Sequence, residues 1–268
     1  MRNLYFLLML TIVLGSCVKY SPYETKFPDE DKNSNHKNLV EVLNLPKKDT
    51  ICFLATGDAQ RFYDETLEMV EHAKQDAEID FMVFTGDLTD FGILQEYEAM
   101  KNIFDKLPFP YLCTVGNHDF NYNGGEIYLN MFGPFDYSFH LHGFNFVFIN
   151  TNGREFNWDP NVPNISWLNE QLLDTAKYNG AIIVNHVPPH HIDFNEDLSD
   201  TFVDAIHKPG KTLMQLNGHN HDFTSSFPYY GDINYINTCS PQKKMYLKIK
   251  IWKTANNSAD YLMEKVYF

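Results

Sequence analysis

Five short segments bring metal-ligating side chains together with glycine or with the end of an apolar run. They are Gly57-Asp58-Ala59-Gln60, Gly86-Asp87-Leu88-Thr89-Asp90, Gly116-Asn117-His118-Asp119, Asn185-His186 and Gly218-His219-Asn220-His221. Carboxylate, imidazole and amide oxygen suit divalent transition metals, which act as Lewis acids and lower the pKa of water. One such tetrapeptide is an ordinary turn. Five in order, each closing a strand-like run, require a fold that brings them to one place.

The runs before these segments supply that fold. Ile51–Thr56, Phe81–Thr85 and Tyr111–Val115 read as buried strands, and Arg61–Ala77 and Leu94–Lys106 as amphipathic helices between them. This β-α-β-α-β order implies a parallel sheet, whose strands present their carboxyl ends along one edge and gather distant residues in one crevice. After Gly124-Gly125, the spans 136–142 and 144–150 read as an antiparallel hairpin turning at Gly143. A helix over 164–176 and strands over 181–185, 212–217, 233–238, 245–252 and 261–268 follow. The run from Met245 to Trp252 alternates strictly, as in a sheet with one covered and one wetter face. Two sheets packed between helices is the expected assembly.

In order and spacing the five segments resemble the motifs of the calcineurin-like metallophosphoesterases: D-x-H, GD-x-x-[DN], GNH-[DE], a histidine after a strand, and GH-x-H. The resemblance spans about residues 50–240. It implies a four-layer αββα sandwich of two mixed sheets, and a centre of two divalent metals bridged by Asp87. Asp58 and His221 would hold the first metal, and Asn117, His186 and His219 the second. A metal-bridging hydroxide would attack a phosphate mono- or diester. His118 would face the substrate as the catalytic histidine, with Asp119 beside it as the second catalytic residue of the motif. Asp119 and Asp90 would orient histidine or position the loops. Gln60 stands where the family most often has a histidine ligand. Ligation through its amide oxygen would make the first site oxygen-rich, favouring Mn or Fe over Zn. The same residues would serve a surface module that binds metal without turnover, although the intact Asn117-His118-Asp119 argues against a pure binder. An exported nuclease or nucleotide pyrophosphatase is the other alternative.

Composition narrows these choices. Thirty-five acidic against 21 basic residues give a net charge of −14 over 268 residues, so general attraction to phosphate backbones is missing and nucleic acid is disfavoured as a partner. A small phosphoester is the expected substrate, and no protein partner is inferable. Met1 to Ser16 has the layout of a secretory signal, with an apolar run too short to span a membrane. Leu14-Gly15-Ser16-Cys17 resembles the bacterial lipobox. This implies cleavage before Cys17, diacylglyceryl anchoring there, and a protein tethered in the periplasm or at the cell surface. Residues 17–48 are polar and read as a tether, leaving 49–268 as the catalytic domain. Cys52, Cys113 and Cys239 are too few and too scattered for a disulfide framework. His190 and His191 read as exposed loop residues. Phe120, Tyr122, Phe156 and Trp158 lie on loops where they either pack locally or stack on a substrate.

Overall fold

A computed structural model describes residue 21, residues 23–256 and residues 258–268; the signal segment and Cys17 lie outside them. Eleven strands form two sheets. In the first, β1 (Thr50–Thr56), β2 (Phe81–Phe84) and β3 (Tyr111–Cys113) run parallel, and β10 (Met245–Lys253) and β11 (Ala259–Tyr267) add antiparallel to β1. In the second, β5 (Phe144–Phe148), β6 (Gly180–Val184), β7 (Thr212–Asn217) and β9 (Asn234–Asn237) run parallel. They lie between antiparallel edges β4 (Tyr137–Leu141) and β8 (Thr224–Ser226).

The two-residue period of the strands builds the layers. On β1 and β2, Phe53, Ala55, Phe81 and Val83 point between the sheets, where they meet Phe146, Phe148, Ile182, Val184 and Leu216. Their neighbours Cys52, Leu54, Met82 and Phe84 point outward. They lie under helices α2 (Tyr63–Ala73), α3 (Leu94–Phe104) and α4 (Gly124–Met131). Val147, Ala181 and Ile183 pack on the far side beneath α5 (Ile165–Leu172) and α6 (Glu196–His207). Four layers result, α-β-β-α, with the inner strands apolar on both faces, as parallel strands require.

The face of β10 expected to be wetter is so only toward its end: Tyr246 and Lys248 are buried, the latter against Asp76 and Glu78, while Lys250 and Trp252 are partly exposed. Two other expectations are corrected. The stretch 120–125, expected to be a loop, gives way at Gly124 to the helix α4. The tether does not run free along its length, because Ser34–Leu43 form helix α1. Part of what holds that segment is backbone rather than core, which leaves no apolar signal in sequence. The outer edge of β3 is open, and the Asn35 side chain pairs with it as a strand would. Its Nδ2 donates to Cys113 O at 2.9 Å, and its Oδ1 accepts from Cys113 N at 2.9 Å. Val42 seals the same helix onto the inter-sheet core. Capping this edge protects the strand that delivers the Gly116-Asn117-His118 turn.

Replacing Asn35 with alanine strands the buried Cys113 N–H, while Cys113 O keeps the Tyr128 and Tyr137 hydroxyls. The variant should lose about 1–3 kcal/mol of stability, read from the midpoint of urea unfolding. An unshifted midpoint would contradict the edge-capping role.

Candidate metal centre

All five motif segments meet at the carboxyl ends of β1, β2, β3, β6 and β7. The turns are laced to one another by backbone: Asp58 N donates to Gly86 O, Gln60 N to Asp87 O and Gly218 N to His186 O. Close approach is built in at Gly116, where a Cβ would lie 2.1 Å from Asp87 N. Asp58, Gln60, Asp87, His219 and His221 all adopt positive φ, between 43° and 76°. Such backbone is unfavourable for residues with side chains and persists only where the surroundings enforce it.

Asp58, Asp87 and His186 are buried, with one ligating atom of each within 4.8 Å of the others. His186 Nδ1 donates to Thr85 O at 2.7 Å, which leaves the Nε2 lone pair facing Asn117 Oδ1 at 2.9 Å and Asp87 Oδ1 at 3.4 Å. His219 Nδ1 lies 2.9 Å from the same Asn117 oxygen. Four electron-pair donors therefore converge with no hydrogen-bond donor among them unless His186 takes a second proton. Asp58 Oδ1 accepts His219 N at 2.9 Å, whereas its Oδ2 is buried without a partner. A buried, unpaired carboxylate oxygen beside converging lone pairs is a cation site by its chemistry. His221 Nε2 closes the side nearest Asp58, 3.9 Å from Oδ1. These residues fit two divalent ions, one between Asp58, Asp87 and His221, the other between Asp87, Asn117, His186 and His219.

The electrostatics agree. Burial pushes the Asp58 carboxyl up to about 7. Burial pushes Asp87 the same way, but the charge of His186 and its hydrogen bond outweigh that and hold Asp87 below the usual carboxylate range. Burial would lower His186, yet the Asp87 charge raises it to about 9. Burial and the His186 charge hold His219 neutral, at about 3. A proton drawn in among these groups marks the place a cation would take, and metal binding would release it.

His118 donates its backbone N–H to Asp87 Oδ1 at 2.9 Å and its Nδ1 to Asp90 O at 2.9 Å. Asp90 Oδ1 lies 3.3 Å from the same nitrogen, and Arg61 pins the other Asp90 oxygen at 3.2 Å. Nε2 is left for the open side of a ring that is 35% exposed.

Two expected roles change. Asp119 cannot take part in catalysis directly: it is fully buried, and its carboxylate accepts from Gly116 N, Leu88 N, Thr89 N and the Thr89 hydroxyl. It ties the Asp87 turn to the His118 turn. Gln60 does not present its oxygen. Its Nε2 donates to Asp87 Oδ2 at 3.0 Å and lies 3.4 Å from His221 Nε2, so the amide supports the shared carboxylate instead of ligating.

Sequence reasoning missed Asp193 and Arg154. Asp193 Oδ2 lies 3.2 Å from His219 Nε2, and its Oδ1 takes Arg154 Nη1 at 2.8 Å. With its Nε2 proton directed at Asp193, His219 turns the Nδ1 lone pair toward Asn117. Nothing in the spacing of either residue marks this role. His191, expected on an exposed loop, packs edge-on against His219 with ring centroids 4.3 Å apart. His190 is exposed and paired with Glu196 and Asp200, as its loop position implied. Among the aromatics, Phe120 and Phe156 pack on each other and on Phe135, while Tyr122 and Trp158 are exposed.

Fold and site together define an α/β sandwich with a cluster of candidate metal ligands at the carboxyl ends of its strands. The model of the calcineurin-like phosphoesterase family matches residues 52–223, more than half of the chain, and the chain belongs to that family. Among curated proteins it is 25% identical over 182 residues to the uncharacterized metallophosphoesterase YkuE of Bacillus subtilis, covering 63% of this chain and 56% of that one. It is 24% identical over 193 residues to a probable cyclic nucleotide phosphodiesterase of Psychrobacter, covering 64% and 55%. The chain thus spans about half the length of the curated relatives it matches. The fold is shared with a dimetal phosphatase from Danio rerio (TM-score 0.59, 14% identity, 80% of this chain and 95% of that chain). It is also shared with GAP50, the anchor in the inner membrane complex of Plasmodium (0.62, 14%, 82% and 85%).

Asp193→Ala should keep the fold, checked by circular dichroism, and weaken the tighter-bound Mn²⁺ by about 10- to 100-fold in chelator competition. Unchanged affinity would remove Asp193 from the account.

Proposed function

We propose that the chain is a hydrolase of phosphate mono- or diesters working through two divalent metal ions, exported and anchored to a bacterial membrane through Cys17. The observation that carries this reading is the convergence of His186 Nε2 and His219 Nδ1 on Asn117 Oδ1, with Asp87 Oδ1 3.4 Å from His186 Nε2 and an unpaired oxygen on the neighbouring Asp58. Asp58, Asp87 and His221 would hold the first ion, and Asp87, Asn117, His186 and His219 the second. Gln60 offers the first site an N–H and no ligand, so this ion would be the weaker and more exchangeable of the two. The oxygen-rich remainder favours Mn or Fe there, while Zn suits the second site. When bound, the ions lower the pKa of attacking water and offset charge on the phosphoryl oxygens.

The chain's own groups do the rest. Asp87 fixes His118 through its backbone, and Asp90 with Arg61 fixes the ring, so Nε2 faces the substrate. There it can donate a hydrogen bond to a phosphoryl oxygen, or give its proton to the departing alkoxide as the P–O bond breaks. The family membership and the match to a probable cyclic nucleotide phosphodiesterase support an ester of phosphate and keep the diester open. The Leu14-Gly15-Ser16-Cys17 sequence supports the anchor.

His118→Ala should bind Mn²⁺ as the parent does and lose at least about 10²-fold in turnover of chromogenic phosphate mono- and diesters. Loss of metal together with activity would mean that His118 is a ligand, and undiminished turnover that it has no catalytic part.

A further inference from the structure

Tyr23, Phe91, Tyr122, Trp158 and Ile192 are between 47% and 83% exposed. Phe91 adjoins Asp90, whose carbonyl holds both His118 Nδ1 and the Asn121 side chain, and Tyr122 adjoins Asn121. Across the centre, Trp158 and Ile192 flank the Arg154–Asp193–His219 chain: Asn195 Nδ2 donates to Trp158 O, and Arg154 N to Asp193 O. Phe120 and Phe156, with centroids 5.0 Å apart, lock the two sides together. The mouth of the site is therefore bordered by large uncharged side chains that no part of the described chain covers, with the exposed Arg61 and Arg154 beside them.

The amino-terminal segment arrives at this rim. Tyr23 meets Tyr122 edge-on with centroids 6.1 Å apart, and its carbonyl accepts from Asn123 Nδ2 at 3.2 Å. Residues 18 to 23 are all that separate Cys17 from this contact, a reach of at most about 20 Å. A lipid on Cys17 would hold the rim that close to the bilayer. Tyrosine and tryptophan are the side chains that settle at membrane interfaces. A net charge of −14 offers no general attraction to anionic lipid, which leaves the uncharged rim to make the contact.

We infer that the mouth of the site rests on the bilayer interface and that its substrate is a lipid phosphoester, whose phosphate reaches the metal centre while its acyl chains stay in the membrane. This rests on the phosphoesterase reading above. In the reaction a water oxygen bonds to phosphorus, the P–O bond to the leaving alcohol breaks, and that alcohol takes a proton.

The test uses the full-length, acylated chain in vesicles of phosphatidylethanolamine and phosphatidylglycerol. Of the three tryptophans, Trp167 is half-buried in α5, and Trp252 lies opposite Thr50 at the far edge of the sheet. Lipids brominated on their acyl chains should therefore quench mainly Trp158, and Trp158→Phe should remove most of the quenching. Phe91→Ser with Tyr122→Ser should cut hydrolysis of vesicle-borne phosphatidic acid or phosphatidylglycerol by about tenfold or more, and change that of soluble 4-nitrophenyl phosphate by less than about twofold. Quenching that does not depend on Trp158, or equal losses on lipid and soluble esters, would overturn the inference. No hydrolysis of any ester would count against the phosphoesterase reading, and the quenching result alone would then decide the membrane contact.

Discussion

Two carboxylates, Asp58 and Asp87, are buried together at the junction of the two sheets, and the rest of the architecture answers to that fact. Anions removed from water are tolerated only when paired, protonated or bound to metal. The partners are His186 and His219, held by Thr85 O and Asp193 so that their lone pairs turn inward, together with Asn117 and His221. No ammonium or guanidinium of the described residues pairs with either carboxylate; Arg61 and Arg154 stand one residue back, clamped to Asp90 and Asp193. A proton on His186 or a bound cation is left to balance the centre, while Arg61 and Arg154 serve to orient histidines.

Holding such a centre requires backbone that the chain would not adopt unaided. Left-handed conformations at five non-glycine residues are enforced by the hydrogen bonds between turns and by sheets buried on both faces. Buried Asp119 is part of that enforcement, since three of its four hydrogen bonds reach from the β3 turn to the β2 turn and the fourth closes its own turn on Gly116. Further from the chemistry, Asn35 closes the open edge of β3, so the amino-terminal helix supports the turn that carries His118.

The layered fold was legible in the sequence because its inner strands are apolar on both faces and five strands end in a polar ligand, four of them with glycine beside it. The ligand set was legible for the same reason, since every candidate lies within four residues of a strand end. What escaped notice acts through single polar contacts that leave no period. Asn35 pairs with backbone across 78 residues of sequence, and Asp193 reaches His219 from an irregular loop. Helix α6 carried a signal that went unread: Asn195 before it, Glu196 and Asp197 in its first turn, and Phe202, Val203 and Ile206 at helical spacing. The part played by Gln60 depends on which end of an amide faces Asp87, and residue type alone cannot specify that.

The most direct test is anomalous scattering from crystals of the chain grown with Mn²⁺. Two peaks are expected, about 3.5–4 Å apart on either side of the Asp87 carboxylate. The peak beside Asp58 and His221 should be the weaker, and the peak among Asn117, His186 and His219 the stronger. A single peak away from Asp87, or none within reach of these side chains at saturating Mn²⁺, would contradict it.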